Sequence, residues 1–517
     1  MTRSCSSSSN SSFVSSFSSW LLFVSVALLT GITVCTLTTE TSFWLSLSST
    51  WTWSSAFHVF PSSPSSSSSK RDESLAGEEA LPNSSSDNGF LPSVIPKQTD
   101  LLPLSSKKHE ASEDLAMRGS EVGVKRYSKL MRLEAGLARA RASIRMASAQ
   151  SRNQTSTHDD DDPDYVPRGP IYRNAFVFHR SYLEMEKIFK IFVYEEGDPP
   201  LFHNGPCRSI YSTEGRFINE MEKAGNHYRT RDPDEAHVYF LPFSVVMMVQ
   251  FLYVPDSHEI DSIGRTVVDY INILSAKYPY WNRSLGADHF MLSCHDWGPR
   301  TSAYVRELFD NSIRVLCNAN TSEGFNPLKD ASFPEIHLRT GEITGLLGGL
   351  SPSRRPLLAF FAGRLHGNIR LLLLQEWKDR DKDVQVYDEL PDGMSYNEML
   401  KKSKYCLCPS GYEVASPRIV EAIYAECVPV LISDHYVPPF SDVLNWNSFS
   451  VQIAVSDIPN IKTILSSISQ TQYIRMQRRV KQVQRHFVVN GPPQRFDVFH
   501  MILHSIWLRR LNIHIRD

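Results

Sequence analysis

Two charged residues stand one helical turn apart in the stretch Lys404–Asp434 and could bind a phosphorylated ligand. Arg418 supplies a cation that suits a phosphate, and Glu421 supplies a carboxylate that suits the hydroxyl of a ribose or another sugar. Ser416 and Pro417 precede them, and this pair is typical of a helix start, with Ser as the N-cap and Pro in the first turn. The pattern predicts an anion-binding helix N-terminus, with an ordinary surface pair of Arg418 and Glu421 as the alternative.

The flanking residues predict the elements that position this pair. The apolar run Tyr405–Cys408 predicts a buried strand, Pro409-Ser410-Gly411 predicts a turn, and Val428–Ile432 predicts the next strand. Open α/β sheets bind ligands at the carboxyl ends of their strands, which is where this turn lies. The candidate ligand-binding residues of this stretch are therefore Ser410, Gly411, Glu413, Ser416, Arg418 and Glu421.

Two more loops follow predicted strands and carry polar residues suited to chemistry. The first, SCHDWGP, contains His295 and Asp296, which could remove a proton from a hydroxyl group. A hydrogen-bonded structural pair is the alternative, because ion-pair networks often resemble catalytic sites. The second, FAGRLHGNIR, contains Arg364 and Arg370, whose guanidinium groups suit a diphosphate, with a glycine turn and surface arginines as its alternative.

The composition narrows the class of protein. The chain has 517 residues, a formal net charge of -2 and a hydrophobic fraction of 41%. This charge balance predicts no nucleic-acid partner. The sequence contains no Walker A, G-x-G-x-x-G, G-x-S-x-G or H-E-x-x-H motif. Two D-x-D matches, in HDDDDPD and in WKDRDKD, fall in charged runs that predict solvated surface, so we expect no metal site.

The first part of the chain differs from the rest. Residues 20–37, WLLFVSVALLTGITVCTL, carry no charge and are long enough to span a bilayer. We expect 20–39 to be an uncleaved signal-anchor behind a cytoplasmic tail, 1–19; a cleaved secretory signal and an organellar transit peptide are the alternatives. Residues 40–165 are rich in Ser, Pro and charge and predict a disordered luminal stem. Within it, 124–149 predicts a helical stalk or dimerising segment, with a basic membrane-surface helix as the alternative.

From residue 166 onward the pattern is that of a folded α/β protein. Apolar runs that predict strands alternate with amphipathic helical segments on both sides of Gly341–Arg355, a stretch rich in Gly, Pro and Ser that predicts a linker. We therefore expect two doubly wound lobes, residues 166–345 and 346–517, with a cleft between them. An amphipathic helix over Phe496–Leu511 is expected to close the second lobe.

If the predicted anchor is present, the bulk of the chain is expected in the secretory lumen, and the glycosylation sequons are compatible with that compartment. An oxidising lumen permits disulfides, but the pairing does not follow from the spacing, so the cysteines are predicted to be buried thiols or disulfide partners. No C-x-x-C pair or His at zinc spacing accompanies them. The cysteines of the folded part are Cys207, Cys294, Cys317, Cys406, Cys408 and Cys427, and sequons beyond the predicted span begin at Asn83, Asn153, Asn282 and Asn320.

Several segments resemble one known family. From about Tyr172 to the C-terminus the chain is similar to the plant exostosin-like glycosyltransferases of family 47, and the stem segment EAGLARARASIR also looks like the plant members. The segments that carry the resemblance are Lys190–Asn226, Arg231–Pro242, Tyr278–Pro299, Asp330–His337, Phe360–Arg364 and Lys404–Asp434.

The resemblance implies a type II Golgi membrane protein of the GT-B fold, with two Rossmann-like lobes and a nucleotide-sugar site chiefly in the C-terminal lobe. It implies inverting transfer from a donor such as UDP-xylose, UDP-galactose or UDP-arabinose to pectin, hemicellulose or a glycoprotein glycan, without an obligatory metal. The nearest subgroup looks like pectin-type xylosyltransferases. Asp296 is then the hypothetical base, with His295 second, and the donor-site candidates carried over are Arg364, Ser410, Ser416, Arg418 and Glu421.

Two functions of other classes are the alternatives. One is a non-catalytic scaffold subunit of a Golgi polysaccharide synthase complex, which the retained basic and carboxylate residues argue against. The other is a secreted lectin, which the predicted anchor and the missing repeats argue against. The expected partners are a nucleotide sugar, a polysaccharide acceptor, the Golgi membrane through a single span, and a homo- or hetero-oligomer with other glycosyltransferases.

Overall fold

Two parallel β-sheets form the centre of the fold. The structure, a computed structural model, describes residues 113–151 and 165–515, with side chains in the first range from 129 to 149. The first sheet has the strand order β2-β1-β3-β4-β5-β6 and the second β11-β10-β9-β7-β8, and neighbouring strands are parallel. The strands are β1 (Ile191–Val193), β2 (Arg229–Thr230), β3 (Val238–Phe240), β4 (His289–Ser293), β5 (Ile313–Leu316), β6 (Ala331–Ser332), β7 (Leu357–Ala362), β8 (Val384–Tyr387), β9 (Ser403–Pro409), β10 (Val428–Ile432) and β11 (Val451–Ile453).

α-Helices connect most of the successive strands and bury the sheets. All residues of β4 and β10 are buried, as expected for nearly continuous apolar runs in parallel sheets that helices cover on both faces. Parallel neighbours need crossover connections, which the amphipathic segments between the strands provide. The α-helices are α1 (Glu113–Ser151), α2 (Ala175–Ile188), α3 (Ser212–Glu222), α4 (Val245–Leu252), α5 (Asp261–Lys277), α6 (Pro279–Ser284), α7 (Gly298–Ser302), α8 (Arg306–Asp310), α9 (Asn368–Trp377), α10 (Tyr396–Lys402), α11 (Arg418–Tyr424), α12 (Ile461–Ser467), α13 (Gln470–Val483) and α14 (Val498–Asn512).

The predicted α/β class and the parallel sheets are confirmed, and the architecture is consistent with a GT-B-like fold. The predicted linker, Gly341–Arg355, lies between β6 of the first sheet and β7 of the second. Apolar residues of both sheets, such as Val315 and Val430, belong to one continuous core. The two sheets are therefore parts of one packed body, with the linker at the point where the chain passes between them.

The C-terminal helix α14 packs against the first sheet. Arg509 Nε donates to the Asp330 carbonyl oxygen at 2.9 Å, and Arg510 Nε donates to that of His237 at 2.7 Å. The sequence groups this helix with residues 346–517, but its contacts correct that grouping: α14 returns to cover the first lobe. Periodicity predicts a helix and its apolar stripe, but it does not predict which sheet the stripe covers.

Helix α1 also packs against the folded body instead of standing free as a stalk. Leu137 and Ala140 are 0% and 1% exposed. Arg141 donates from Nε to the Leu511 carbonyl oxygen at 2.6 Å, and Lys129 Nζ lies 2.8 Å from Asp232 Oδ2. The apolar face that predicted a dimerising segment is thus buried against the chain's own residues.

The predicted tail, the predicted span at 20–39 and most of the predicted stem lie outside the described residues. None of the helices within residues 113–151 and 165–515 combines the length and the apolar character needed to cross a membrane.

Two disulfides join neighbouring strand ends and connections. Cys294–Cys317 links the residues that follow β4 and β5, and Cys406–Cys427 links β9 to the residue before β10. Among the described residues, Cys408 is buried and takes part in no disulfide. Loops of this length gain about 3 kcal/mol of stability from a cross-link in the chain-entropy model. The first disulfide fixes the start of the loop that carries His295 and Asp296.

Candidate active site

Loops that follow strands of both sheets meet at one place. Asn318, two residues beyond β5, donates from Nδ2 to Glu413 Oε2 at 2.6 Å and lies 3.5 Å from the Asp296 carbonyl oxygen. Glu413 lies in the loop after β9, and Asp296 lies in the loop after β4. The structure therefore brings the predicted ligand-binding stretch of the second lobe to the predicted proton-abstracting loop of the first.

Two partly or fully buried arginines lie close together in the second lobe. Arg418 packs over the Phe361 ring, 5.2 Å from its centroid, and donates from Nη2 to the Ala362 carbonyl oxygen at 3.2 Å. Arg370, at the start of α9, is 8% exposed. Burial and the neighbouring charge of Arg418 lower the pKa of Arg370 to about 10. Two guanidinium groups in such an environment repel each other, and an anion bound between them would remove that cost.

Arg370 and Arg418 each bury an Nε atom, and Ser416 and Ser433 each bury a hydroxyl oxygen, without a hydrogen-bond partner among the described residues. Buried polar groups are rarely left unsatisfied, and those that are call for a specific explanation such as a ligand. All four follow the carboxyl ends of strands in the second sheet. We refer to these residues as the arginine cluster: Arg370 (Nε), Ser416 (Oγ), Arg418 (Nε) and Ser433 (Oγ).

The N-cap residue of helix α11 differs from the predicted one. Helix α11 begins at Arg418, Pro417 occupies the cap position, and no side chain caps the helix. Ser416 is not the N-cap, because the Pro417 backbone already has helical angles (φ -64, ψ -18). Its 3% exposed hydroxyl is left for another partner. A residue predicted to stabilise the helix is thereby available to bind a ligand.

Glycines allow three chain segments to approach closely. A Cβ at Gly363 would lie 2.2 Å from Arg418 Nη2, and a Cβ at Gly367 (φ +84) would lie 2.3 Å from the Gly411 carbonyl oxygen. A side chain at Gly411 would meet the His366 ring at 2.5 Å. The loop before α9 and the turn after β9 therefore pack backbone against backbone, and this packing places Arg370 beside Arg418.

Glu421 is held in its ionised form. Tyr396 donates its hydroxyl to Glu421 Oε2 at 2.8 Å, and His337 Nδ1 lies 3.4 Å from Oε1. Burial raises the pKa of Glu421, but the bonds from His337 and Tyr396 and the charge of Arg418 outweigh it, so the pKa is below its ordinary value. A carboxylate has about four lone-pair sites, so each oxygen can still accept a bond from a sugar hydroxyl.

Two predicted donor-site residues, Arg364 and Ser410, do not belong to the arginine cluster. Arg364 does not join the arginine cluster, because its side chain is 82% exposed and faces Glu389 at 3.3 Å. Ser410 is buried, but its hydroxyl donates to the Val414 carbonyl oxygen at 3.2 Å and so stabilises the turn. The arginine that reaches the cluster from FAGRLHGNIR is Arg370, since it lies within the helix, whereas Arg364 stands on the loop before it.

In the first lobe, Asp296 is better suited than His295 to act as a base. Burial raises the pKa of Asp296 to about 6, although a hydrogen bond from the Tyr211 hydroxyl opposes the rise. Asp296 is thus ionised at neutral pH and more basic than an ordinary carboxylate. His295 Nδ1 accepts the Trp297 backbone N–H at 3.0 Å, and burial lowers the pKa of His295 to about 4, so its ring is neutral.

Two buried carboxyl groups of this region were not predicted as site residues. Glu214 accepts the backbone N–H of Cys294 at 2.6 Å and the hydroxyl of Ser244, and so holds the loop that contains Asp296. Glu214 lies on the apolar face of α3 with Phe217 and Met221. An acidic residue at an apolar position of a helix indicates a buried polar role, and the sequence alone shows this pattern.

The second unpredicted carboxyl group is that of Glu335. It lies between the candidate base of the first lobe and the two arginines of the second lobe. It is 7% exposed and interacts electrostatically with Asp296 on one side and with Arg418 and Arg370 on the other. Burial, reinforced by Asp296, raises its pKa well above the ordinary value, although the two arginines oppose the rise. Its segment, DASFPEIH, shows no motif of a catalytic kind, so only the fold reveals its position.

Within the described ranges, no group of three or more His, Cys, Asp or Glu side chains is arranged to hold a metal ion. A cavity of about 190 Å³ opens beside Glu421, and His337 and Tyr396 contribute to its lining. The site as a whole thus offers cationic donors, the ionised carboxylate of Glu421 and the half-buried carboxylate of Asp296, whose pKa is raised.

Comparisons with known proteins agree with this chemistry. The sequence model of the Exostosin GT47 domain matches residues 185–468, which include both sheets. The chain is 57% identical to a probable glycosyltransferase of Arabidopsis thaliana over 459 residues, which are 89% of this chain and 84% of that protein. It is 29% identical to a probable glucuronosyltransferase of Oryza sativa subsp. japonica, over 61% of this chain and 79% of the relative. It is 28% identical to a probable beta-1,4-xylosyltransferase of Arabidopsis thaliana, over 61% of this chain and 81% of that relative.

Proposed function

Since the chain belongs to the exostosin GT47 family and is a glycosyltransferase, we propose that it transfers a sugar from a UDP-sugar to a plant cell-wall polysaccharide with inversion at the anomeric carbon. The observation that carries the proposal is the arginine cluster. Its partnerless donors occupy the carboxyl edge of the second sheet, where α/β proteins bind nucleotides. The diphosphate of a nucleotide sugar supplies the acceptors that these donors lack.

The donor is proposed to bind mainly to the second lobe. Arg370 and Arg418 neutralise the diphosphate, the Ser416 hydroxyl donates to one of its oxygens, and Glu421 accepts a hydroxyl of the ribose or the sugar. As the bond between the anomeric carbon and the phosphate breaks, negative charge builds on the diphosphate. Preorganised guanidinium groups stabilise that charge at the transition state.

The acceptor is proposed to react from the side of the first lobe. Asp296 takes the proton from an acceptor hydroxyl, whose oxygen forms the new bond to the anomeric carbon while UDP departs from the opposite face. One displacement inverts the configuration. The Tyr211 hydroxyl and the loop held by Glu214 fix the position of Asp296.

For the donor sugar and for the acceptor, we propose a chemical class and not a single compound. UDP-xylose, UDP-galactose and UDP-arabinose are the candidate donors, and pectin, hemicellulose or a glycoprotein glycan is the candidate acceptor. Similarity to a probable beta-1,4-xylosyltransferase and to a probable glucuronosyltransferase supports a pentose or sugar-acid chemistry. The two guanidinium groups supply the positive charge that a metal provides in other transferases, so we propose turnover without a metal cofactor.

The protein is proposed to be a single-pass type II protein of the Golgi membrane, with the folded part in the lumen. The uncharged run at residues 20–37 supports an anchor. The disulfides Cys294–Cys317 and Cys406–Cys427 support an oxidising compartment.

A panel of UDP-sugars tests the proposal. The full-length protein, solubilised in detergent, is titrated with each donor and assayed for slow donor hydrolysis, with and without EDTA. We expect one UDP-sugar to bind saturably and to be hydrolysed at the same rate in both conditions. Binding without hydrolysis or transfer would favour the scaffold subunit, and binding of none would overturn the proposed donor site.

A further inference from the structure

Four aromatic rings form a row along the loop of the candidate base, and we refer to them as the aromatic row. The ring centroids of Tyr211 and His295 lie 5.2 Å apart, and those of His295 and Trp297 lie 5.3 Å apart. The ring of Tyr253, which follows α4, meets the ring of Trp297 edge-on at 4.9 Å. All four residues are half-buried. The row thus leads from the Tyr211 hydroxyl, which donates to Asp296, to the surface that follows α4.

Hydrogen bonds hold the outer rings of the aromatic row in place. The backbone N–H of Trp297 donates to His295 Nδ1 at 3.0 Å, and its carbonyl oxygen accepts the N–H of Thr301 at 2.8 Å. The Tyr253 hydroxyl accepts the backbone N–H of His258 at 3.2 Å. Residues that are already ordered lose little conformational entropy when a ligand binds. His295, which is poorly suited to act as the base, thereby gains a role, because its ring nitrogen positions Trp297.

The exposure of Trp297 differs from that of the other described tryptophans. The indole of Trp297 borders an apolar core but remains partly in solvent. Beyond Tyr253 the apolar surface continues, because Phe251 and Val254 are 52% and 67% exposed. Aromatic surface of this kind is typical of ligand-binding grooves. The tryptophans within residues 165–515 that are at most 9% exposed are Trp281, Trp377, Trp446 and Trp507.

The apolar face of a sugar ring fits such a surface. In a β-linked chain of xylose or glucose the hydroxyl groups and the linkages are equatorial, so the axial C–H groups form an apolar face that can pack on an aromatic ring. The hydroxyl groups stay at the rim of the contact, where water or polar side chains reach them. An α-linked galacturonate chain lacks this geometry and carries carboxylates. The aromatic row holds no cation to pair with them, since the ring of His295 is neutral.

We propose that Trp297 and Tyr253 stack on a sugar unit of the acceptor, and that the acceptor is a β-linked chain of neutral sugars with equatorial hydroxyl groups. The inference rests on the proposed function, because it takes Asp296 as the base that receives the proton of the acceptor hydroxyl. The two rings form no covalent bond and transfer no proton. They hold the sugar beside Asp296 and select the class of acceptor.

Calorimetric titrations of the full-length protein, in a detergent without a sugar headgroup, test the stacking. The probes are xylohexaose, cellohexaose and hexagalacturonate, each with and without UDP. We expect at least one of the two β-linked probes to bind saturably, and hexagalacturonate to bind at least about tenfold more weakly. Trp297→Ala should weaken binding of the β-linked probe at least about tenfold, whereas Trp297→Phe, which keeps a ring face, should retain most of the affinity.

The matched control is Phe176→Ala. Phe176 is 46% exposed on α2 and lies outside the aromatic row, so its replacement should leave binding of the β-linked probe unchanged. The dissociation constant of UDP should be the same in all these variants, which also shows that they are folded. If Trp297→Ala does not fold, Tyr253→Ala removes the neighbouring ring and should weaken the same probe.

The outcomes separate the stacking from the proposed function. Absence of binding by both β-linked probes, or equal or tighter binding of hexagalacturonate, overturns the proposed class of acceptor. Unchanged affinity in Trp297→Ala, or a loss as large in Trp297→Phe or Phe176→Ala, overturns the stacking. Failure of the unchanged protein to bind UDP overturns the proposed donor site instead, and the titrations without UDP still decide the aromatic row.

Discussion

At the scale of single residues, the site is defined by polar atoms that the fold buries without satisfying them. Arg370, Arg418 and Ser416 have such atoms in the second lobe. In the first lobe, burial makes Asp296 a stronger base than an exposed carboxylate. Both features cost stability in the unliganded protein, and such costs are typical of sites that bind charged ligands.

Replacing Asp296 by Asn separates chemistry from binding. The change removes the proposed base, so kcat for transfer should fall about 100-fold or more while the dissociation constant of UDP stays unchanged. A buried carboxyl with a raised pKa favours folding while it is protonated, and this contribution is lost as the pH rises through about 6. The variant should therefore melt at an equal or higher temperature at pH 7. Full turnover would exclude Asp296 as the base.

The acid limb of the pH profile follows from the same group. The unchanged protein should lose kcat as the pH falls below about 6, because Asp296 then becomes protonated. Initial rates at saturating donor between pH 4.5 and 7.5 measure this limb. A constant kcat down to pH 5 would contradict the assignment.

At the scale of elements, a buried ion pair anchors the strand ends of the first sheet. Arg314 on β5 and Asp330 just before β6 are both 0% exposed, with Nη2 and Oδ2 2.5 Å apart. Asp330 also accepts from Lys329 Nζ at 2.6 Å. Removing one partner of such a pair leaves a buried charge without compensation.

Asp330→Ala should lower the free energy of unfolding by about 3–5 kcal/mol. The matched control is Asp310→Ala, which removes an exposed pair with Arg306 on α8 and should cost about 0.3–0.5 kcal/mol. Denaturant titrations followed by circular dichroism measure both values. Equal small losses would mean that water reaches the Asp330 site.

The helix α1 gives a second prediction at this scale. Leu137 is 0% exposed, so Leu137→Ala should cost about 2–5 kcal/mol, whereas Met131→Ala on the exposed side of the same helix should change stability by less than about 0.5 kcal/mol. Thermal melts of the full-length protein compare the two variants. Equal melting temperatures would show that α1 does not stay docked in solution.

At the scale of the whole molecule, the sequence predicts the class of fold well. It predicts less well which residues belong to the candidate site. Apolar runs predict strands such as β4 and β9 because parallel strands are buried on both faces. By contrast, Arg364 and Arg370 carry the same charge six residues apart in one loop-and-helix segment, and only the packing of α9 decides which one is buried. Glu335 was missed for the same reason, since its charged neighbours come from three distant segments.

Local sequence patterns also do not predict which helices pack on which lobe. Helices α1 and α14 lie at the two ends of the described chain, yet Arg510 of α14 pairs with Glu134 of α1, and both helices contact the first lobe. An apolar stripe predicts that a helix is covered, but its partner depends on the path of the whole chain. Predicted domain limits based on sequence order therefore separate elements that pack together.

Arg418 and Arg370 are proposed to hold the diphosphate of a UDP-sugar. Calorimetric titration of UDP into the unchanged protein, Arg418→Ala and Arg364→Ala tests this proposal most directly. We predict that Arg418→Ala weakens UDP binding at least about tenfold, because a charge-assisted hydrogen bond is lost, while Arg364→Ala, exposed and outside the arginine cluster, binds UDP as the unchanged protein does. Unaltered affinity in Arg418→Ala, or a loss confined to Arg364→Ala, would mean that the arginine cluster does not hold the diphosphate.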